Sequence, residues 1–113
     1  MTRLATTLCG IELSNPVLAA SGTFGYGVEF ASVVDLEAIG GIIVKGLSRE
    51  PMPGNAPPRI YEAASGMINS IGLQNMGVRE FVREKLPGLR GFRTAILANV
   101  FGYAVEDYVE VVR

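Results

Sequence analysis

The sequence predicts an α/β fold in which an N-terminal hairpin precedes about three strand–helix units. Three observations lead there. Three short apolar runs, Val17 to Ala20, Ile42 to Val44 and Thr94 to Ala98, do not alternate apolar with polar residues, which suits strands buried on both faces of a parallel sheet. Each run is followed by a helical pattern or an insertion. Each also ends on one polar side chain, Ser21, Lys45 and Asn99 in turn. Enzymes built as (β/α)₈ barrels gather their active sites from such strand ends. Open doubly wound sheets place ligands at the same end, so the pattern alone leaves both architectures open.

Taken in order, Leu4 to Leu13 reads as a hairpin, with Thr6 and Thr7 before a Cys9-Gly10 pair and Ile11 and Leu13 after it. Asn15-Pro16 opens a new element, and Pro16 fits the first residue of a strand. Val28, Ala31 and Val34 predict a short helix. Ser48 to Asn75 is an insertion after the second strand, and long loops there are usually functional. Val78, Phe81, Val82 and Leu86 recur at i, i+3, i+4 and i+8, an amphipathic helix that Pro87-Gly88 should stop. Val105, Tyr108, Val109 and Val112 mark a last helix running into Arg113 with no stop signal, so the sequence is expected to be cut within an element.

Composition narrows the chemistry. Of 113 residues, 49% are hydrophobic and 19% charged, as in an ordinary globular protein. The net charge is −1 with no basic block, which argues against binding nucleic acid by bulk electrostatics. The apolar runs are too short to span a membrane, and residues 1–10 lack the apolar core of a signal peptide, so a cytoplasmic protein is expected. Cys9 is the single cysteine and there is no histidine. Internal disulfides, Ser-His-Asp triads and the usual zinc sites are therefore excluded within this chain, and no metal site is expected. Chemistry here must use Lys, Asn, Ser, backbone groups or a cofactor.

Several segments carry candidate groups. Ser21-Gly22-Thr23-Phe24-Gly25-Tyr26-Gly27 has three glycines in seven residues, so backbone can approach a flat ligand or phosphate, although alone it reads as a plain turn. Lys45 closes a buried strand, where an unpaired ammonium is costly, and this favours an anionic partner over a side chain that merely reaches water. The stretch Pro51 to Arg59 is stiff and extended. Gly66 to Gly77 mixes amides with glycines; amides offer donor and acceptor together, as a planar heterocycle with imide edges needs, and they also stabilise turns. Asn99 adds a third polar strand end.

Together these residues resemble the dihydroorotate dehydrogenase family. The resemblance rests on Asn15 to Gly27, Val44-Lys45-Gly46-Leu47-Ser48, Pro53-Gly54-Asn55 with Pro58-Arg59, Asn69-Ser70-Ile71-Gly72-Leu73-Gln74-Asn75, and Ala98-Asn99, in that order over almost the whole chain. The run from Asn69 to Asn75 is its most specific part. The Gly-Thr-Phe-Gly-Tyr-Gly and Gly-Leu-Gln-Asn stretches are similar to the NAD-linked class, 1B. The resemblance implies that residues 1–113 are the N-terminal part of a (β/α)₈ TIM barrel, a partial FMN-binding domain. It implies FMN at the mouth, near Ser21, Lys45, Gly46 and Asn99. It implies dihydroorotate held by Lys45, Asn69, Ser70, Ile71, Gly72 and Leu73, and oxidised to orotate in pyrimidine biosynthesis. The base, a cysteine in class 1 members, is expected beyond Arg113, with none in this chain, so the 113 residues alone are expected to be inactive. Homo-oligomers and an electron-transfer subunit carrying FAD and an iron–sulfur cluster are the implied partners. A half barrel leaves open sheet edges and is expected to aggregate, to swap or to need further chain. Two alternatives stand beside this: a related FMN barrel acting on another dihydropyrimidine, and a non-catalytic, self-associating half barrel.

Overall fold

The computed structural model describes residues 4–113. In chain order its elements are β1 (Thr6–Leu8), β2 (Ile11–Leu13), β3 (Leu18–Ala19), β4 (Gly41–Ile43), β5 (Ile60–Ala63), β6 (Gly66–Asn69), a helical stretch α1 (78–89), β7 (Ala95–Leu97) and α2 (Val105–Val112).

β1 and β2 pair antiparallel as expected. Cys9 (φ 48°) and Gly10 (φ 83°) supply the two positive φ angles that a type I′ hairpin turn requires. Asn15 then fixes where the chain enters the main sheet. Its Oδ1 accepts the N–H groups of Val17 (3.0 Å) and Gly40 (3.1 Å), and its Nδ2 donates to the Ala38 carbonyl (2.9 Å). The hairpin that carries Cys9 thus leads into the amino end of the sheet.

The main sheet is parallel in the order β3-β4-β7, with Leu18 opposite Gly41 and Ile42 opposite Ile96. β3 and β7 are each two residues shorter than their apolar runs, and β4 matches its run in length but starts one residue earlier. β4 is central, and its alternate side chains go to different surroundings. Ile42 and Val44 enter a core with Leu36, Leu47, Phe81 and Leu89, joined by Val111 from α2. Gly41 faces the other way, where a Cβ would press on Leu18 and Leu97. Burying a Leu- or Ile-sized side chain in such a core stabilises by about 1.5–3 kcal/mol.

Two expectations need correction, and the insertion holds an element of its own. The predicted helix at Val28, Ala31 and Val34 is only a 3₁₀ turn, Val28–Phe30, followed by a second, Leu36–Ala38, which Asp35 caps by accepting the Glu37 N–H at 3.0 Å. Gly25 and Gly27 hold positive φ just upstream, and β-branched Val33 and Val34 are poor helix formers. Pro87-Gly88 does not stop α1, which continues to Leu89. The turn Phe81–Lys85 is π-wound, with the Leu86 N–H reaching the Phe81 carbonyl. That wider turn lies where an α-turn would have needed the missing proline N–H to meet the Arg83 carbonyl. Finally, the insertion contains a hairpin, β5–β6, pairing Ile60 with Asn69 and Ala63 with Gly66. Its strands are exposed throughout, so they show no periodicity of burial that the sequence could reveal.

Candidate functional site

The three polar strand ends meet. Asn99 Nδ2 donates to Ser21 Oγ (2.8 Å), and Ser21 Oγ donates to the Val44 carbonyl (2.9 Å). The Lys45 N–H donates to the Gly25 carbonyl and the Leu47 N–H to the Asn99 carbonyl, both at 2.8 Å. Residues 78 positions apart in sequence are thereby joined through one hydroxyl. Lys45 is half-buried, and its ammonium has no carboxylate partner among the described residues.

These ends line a cleft of about 290 Å³ with Gly22, Gly46, Leu73, Gln74 and Phe101. Gly46 keeps it open, since a Cβ there would lie 3.3 Å from Phe101 and 3.4 Å from the Asn99 amide nitrogen. A larger cavity of about 420 Å³ lies between Arg49, Met52, Tyr103 and Asp107. None of Ser21, Lys45 and Asn99 lines it, so chemistry rather than volume selects the smaller cleft.

Leu73 and Gln74, from the loop after β6, form a further wall, and the Pro-rich segment clamps that loop. Asn55 Nδ2 donates to the Ser70 carbonyl (2.9 Å) and the Asn55 N–H to the Ile71 carbonyl (3.0 Å). Arg59 donates to Gln74 Oε1 (2.7 Å) and to the Asn55 carbonyl (3.3 Å). Gly54, at φ 74°, has no room for a side chain because a Cβ would collide with the Ile71 carbonyl. Tyr26 joins the glycine-rich turn to the same wall: its hydroxyl accepts the Met76 N–H (3.0 Å), and its ring packs on Phe81.

Ser21, Lys45, Gly46, Leu73 and Asn99 therefore share one cleft. Asn69 and Ser70 instead line a separate hollow of about 250 Å³ with Pro58, Arg59, Ile60, Tyr61 and Ile68. Ile71 and Gly72 are half-buried, with Gly72 packed against Asn55. The sequence marked the segments of Gly22 and Gln74 but singled out neither residue, and it gave no role to Phe101, which also lines the cleft, or to Asn55 and Arg59, which hold its wall. The density of amides between Asn55 and Asn75 was the available signal.

Two carboxylates elsewhere in the fold are held in the charged form. Burial pushes the Glu29 carboxyl up, but the Lys85 ammonium 2.8 Å away and backbone N–H groups outweigh it, leaving it below the usual carboxylate range. Arg93 lowers Glu37 by hydrogen bonding from its side chain and backbone. Neither residue lines the cleft. Among the described residues, no cluster of three His, Cys, Asp or Glu could hold a metal ion, and no helix is long and apolar enough to cross a membrane.

Comparison with known proteins places the chain in a family. The family model for dihydroorotate dehydrogenase matches residues 3–113. This chain belongs to the dihydroorotate dehydrogenase family. Among its relatives is a putative dihydroorotate dehydrogenase A (fumarate) of Solibacter usitatus, 72% identical over 98% of this chain and 36% of the relative. Another is the catalytic subunit of a dihydroorotate dehydrogenase B (NAD⁺) of Thermodesulfovibrio yellowstonii, 54% identical over the whole chain and 37% of the relative. The chain thus spans little more than a third of the length of these relatives. The crystal structure of DHODH from Eimeria tenella in complex with ferulenol superposes with a TM-score of 0.68 at 21% identity, covering 96% of this chain and 32% of that one. That likeness is one of fold. Dihydroorotate dehydrogenases are flavin-dependent, and the cleft can be tested for fit. Glycines at 22 and 46 let backbone approach a flat ring. The rim offers a cation, an amide and a hydroxyl, which match the oxygen and nitrogen edge of an isoalloxazine.

Proposed function

We propose that the protein carrying this chain oxidises dihydroorotate to orotate, with FMN held at the carboxyl ends of the first strands of a (β/α)₈ barrel. The observation that carries this reading is the meeting of Ser21, Lys45 and Asn99 in one cleft beside Leu73. In that reading Ser21, Gly46 and Asn99 hold the flavin, Lys45 faces both flavin and substrate, and Asn69 to Leu73 bind the pyrimidine. Asn69 and Ser70 line a separate hollow, and on this reading they reach the pyrimidine only once substrate is bound.

The chemistry assigned to this chain is binding, orientation and charge. The Lys45 ammonium makes a charge-assisted hydrogen bond to the substrate carboxylate, which fixes the ring over the cleft. The same cation lowers the energy of negative charge gathering at the rim during oxidation. Asn99 orients, and is itself oriented by Ser21. FMN, when bound, supplies the two-electron acceptor. We place the base that removes the substrate proton outside residues 1–113, since Cys9 sits on the hairpin at the amino end of the sheet.

The electron acceptor is a separate question. Relatives at 53–54% identity are named as NAD⁺-linked catalytic subunits, and the Solibacter relative at 72% is named for fumarate. We infer the NAD-linked class, with a partner subunit carrying FAD and an iron–sulfur cluster. The glycine-rich Thr23-Phe24-Gly25-Tyr26-Gly27 stretch and the naming of several relatives support it. Assay of the purified protein with fumarate alone separates the readings: efficient fumarate reduction without a partner means the fumarate-linked class.

The role of Lys45 is tested by titrating orotate into the intact gene product while following flavin absorbance. Lys45→Ala should weaken orotate binding by about 10- to 100-fold, the effect of losing one hydrogen bond to a charged group. Unchanged affinity would remove Lys45 from the site.

A further inference from the structure

We propose that Asn75 is a positioning residue that holds Leu73 in a left-handed backbone conformation and so sets the substrate-facing wall of the cleft; this rests on the reading of that cleft given above. Leu73 has φ 57°, following Gly72 at φ 78°. A branched, bulky residue in that region is unfavourable, and such a conformation persists only where its surroundings impose it.

Asn75 is the group that imposes it. Asn75 is 5% exposed and does not line the cleft. Its Oδ1 accepts the N–H of Gly77 (2.8 Å) and of Ser48 (3.3 Å). Both are obligate donors, so the amide has one orientation. Its Nδ2 is therefore turned to the Leu73 carbonyl (2.8 Å) and to Ser48 Oγ (3.0 Å). Ser48 Oγ can accept because its own proton goes to the Glu50 carbonyl (2.7 Å). Every hydrogen-bonding group of Asn75 is used, and Ser48 lies three residues beyond Lys45 on the segment leaving β4. One buried amide thus ties the Leu73 carbonyl to the segment that carries the cation. The distance across the cleft from Lys45 to the wall depends on it.

Asp is the near-isosteric probe. Asn75→Asp keeps an acceptor for Gly77 and Ser48 but sets an oxygen against the Leu73 carbonyl. Leu73→Gly is the compensating change, because glycine adopts positive φ without steric penalty and needs no latch. The experiment uses the intact gene product with four sequences: wild type, N75D, L73G and N75D/L73G. Two quantities are read: amide hydrogen exchange at residues 71–74, and orotate affinity from flavin absorbance, with flavin content as the control for folding. N75D should speed exchange at 71–74 and weaken orotate binding by about ten-fold at normal flavin content, and in the L73G background its effect should fall below about three-fold. Equal effects in both backgrounds, or no change in exchange, would overturn the proposal. If N75D fails to fold, Ser48→Ala removes one partner of Nδ2 and should give a smaller loss that L73G again suppresses; a loss that L73G leaves intact overturns it too. Exchange reads the latch without any ligand, so failure of wild type to bind orotate counts against the function alone.

Discussion

The helix-covered side of β4 and the rim at its carboxyl end are a few residues apart, yet they are built on opposite principles. Ile42 and Val44 sit in a dry core with Phe81 and Leu89, where stability follows apolar area and almost any well-fitting hydrocarbon would serve. Ser21, Lys45 and Asn99 sit in a chain of directed hydrogen bonds in which each partner has one acceptable geometry. The first region makes the fold, and the second uses it. Changes in one should therefore leave the other's readout nearly untouched.

That separation can be broken in four ways, from the largest effect to the smallest. Leu89→Ala empties a fully buried position and should lower stability by about 2–5 kcal/mol, while protein that remains folded keeps its orotate affinity. Chemical denaturation paired with orotate titration checks both halves. Lys45→Ala should do the reverse, losing affinity with little change in the denaturation midpoint. Gly46→Ala forces Phe101 and the Asn99 amide to give by a few tenths of an ångström. It should weaken flavin retention by several-fold, about 1 kcal/mol, with stability barely altered; a large stability loss would show that the rim and the core are not separable.

The smallest effect is the pH dependence at Glu29. Its carboxyl titrates below the ordinary value of 4.5, so the ion pair with Lys85 stabilises the fold above that value and is lost as pH falls through the lower folded one. The pair is partly solvated and screened, so the contribution is below about 1 kcal/mol. Thermal melts of wild type and Glu29→Gln should differ by a constant amount above pH ~5.5 and converge below pH 4.5. A difference that grows in acid would contradict the pairing.

The two regions also differ in how far the sequence reveals them. The parallel strands were legible because three continuous apolar runs admit few other arrangements, and the Cys9-Gly10 hairpin because of its turn chemistry. The polar rim was legible one residue at a time, at each strand end. What joins the rim was not: Asn99 to Ser21 spans 78 positions and Asn75 to Ser48 spans 27, and no local pattern encodes such pairings. Pro87 misled because its local rule is strong, yet a π-wound turn upstream absorbs it. The β5–β6 hairpin escaped because exposed strands carry no burial pattern. Leu73 gave no warning either, since nothing in its neighbours except Gly72 favours positive φ.

Dihydroorotate oxidation by this cleft is read most directly by adding dihydroorotate anaerobically to the purified intact gene product while the visible spectrum is recorded. The purified protein should be yellow, with a flavin band that bleaches with dihydroorotate and not with dihydrouracil, which lacks the carboxylate that Lys45 is proposed to hold. A colourless protein, or a flavin that bleaches equally with both, would contradict that reading.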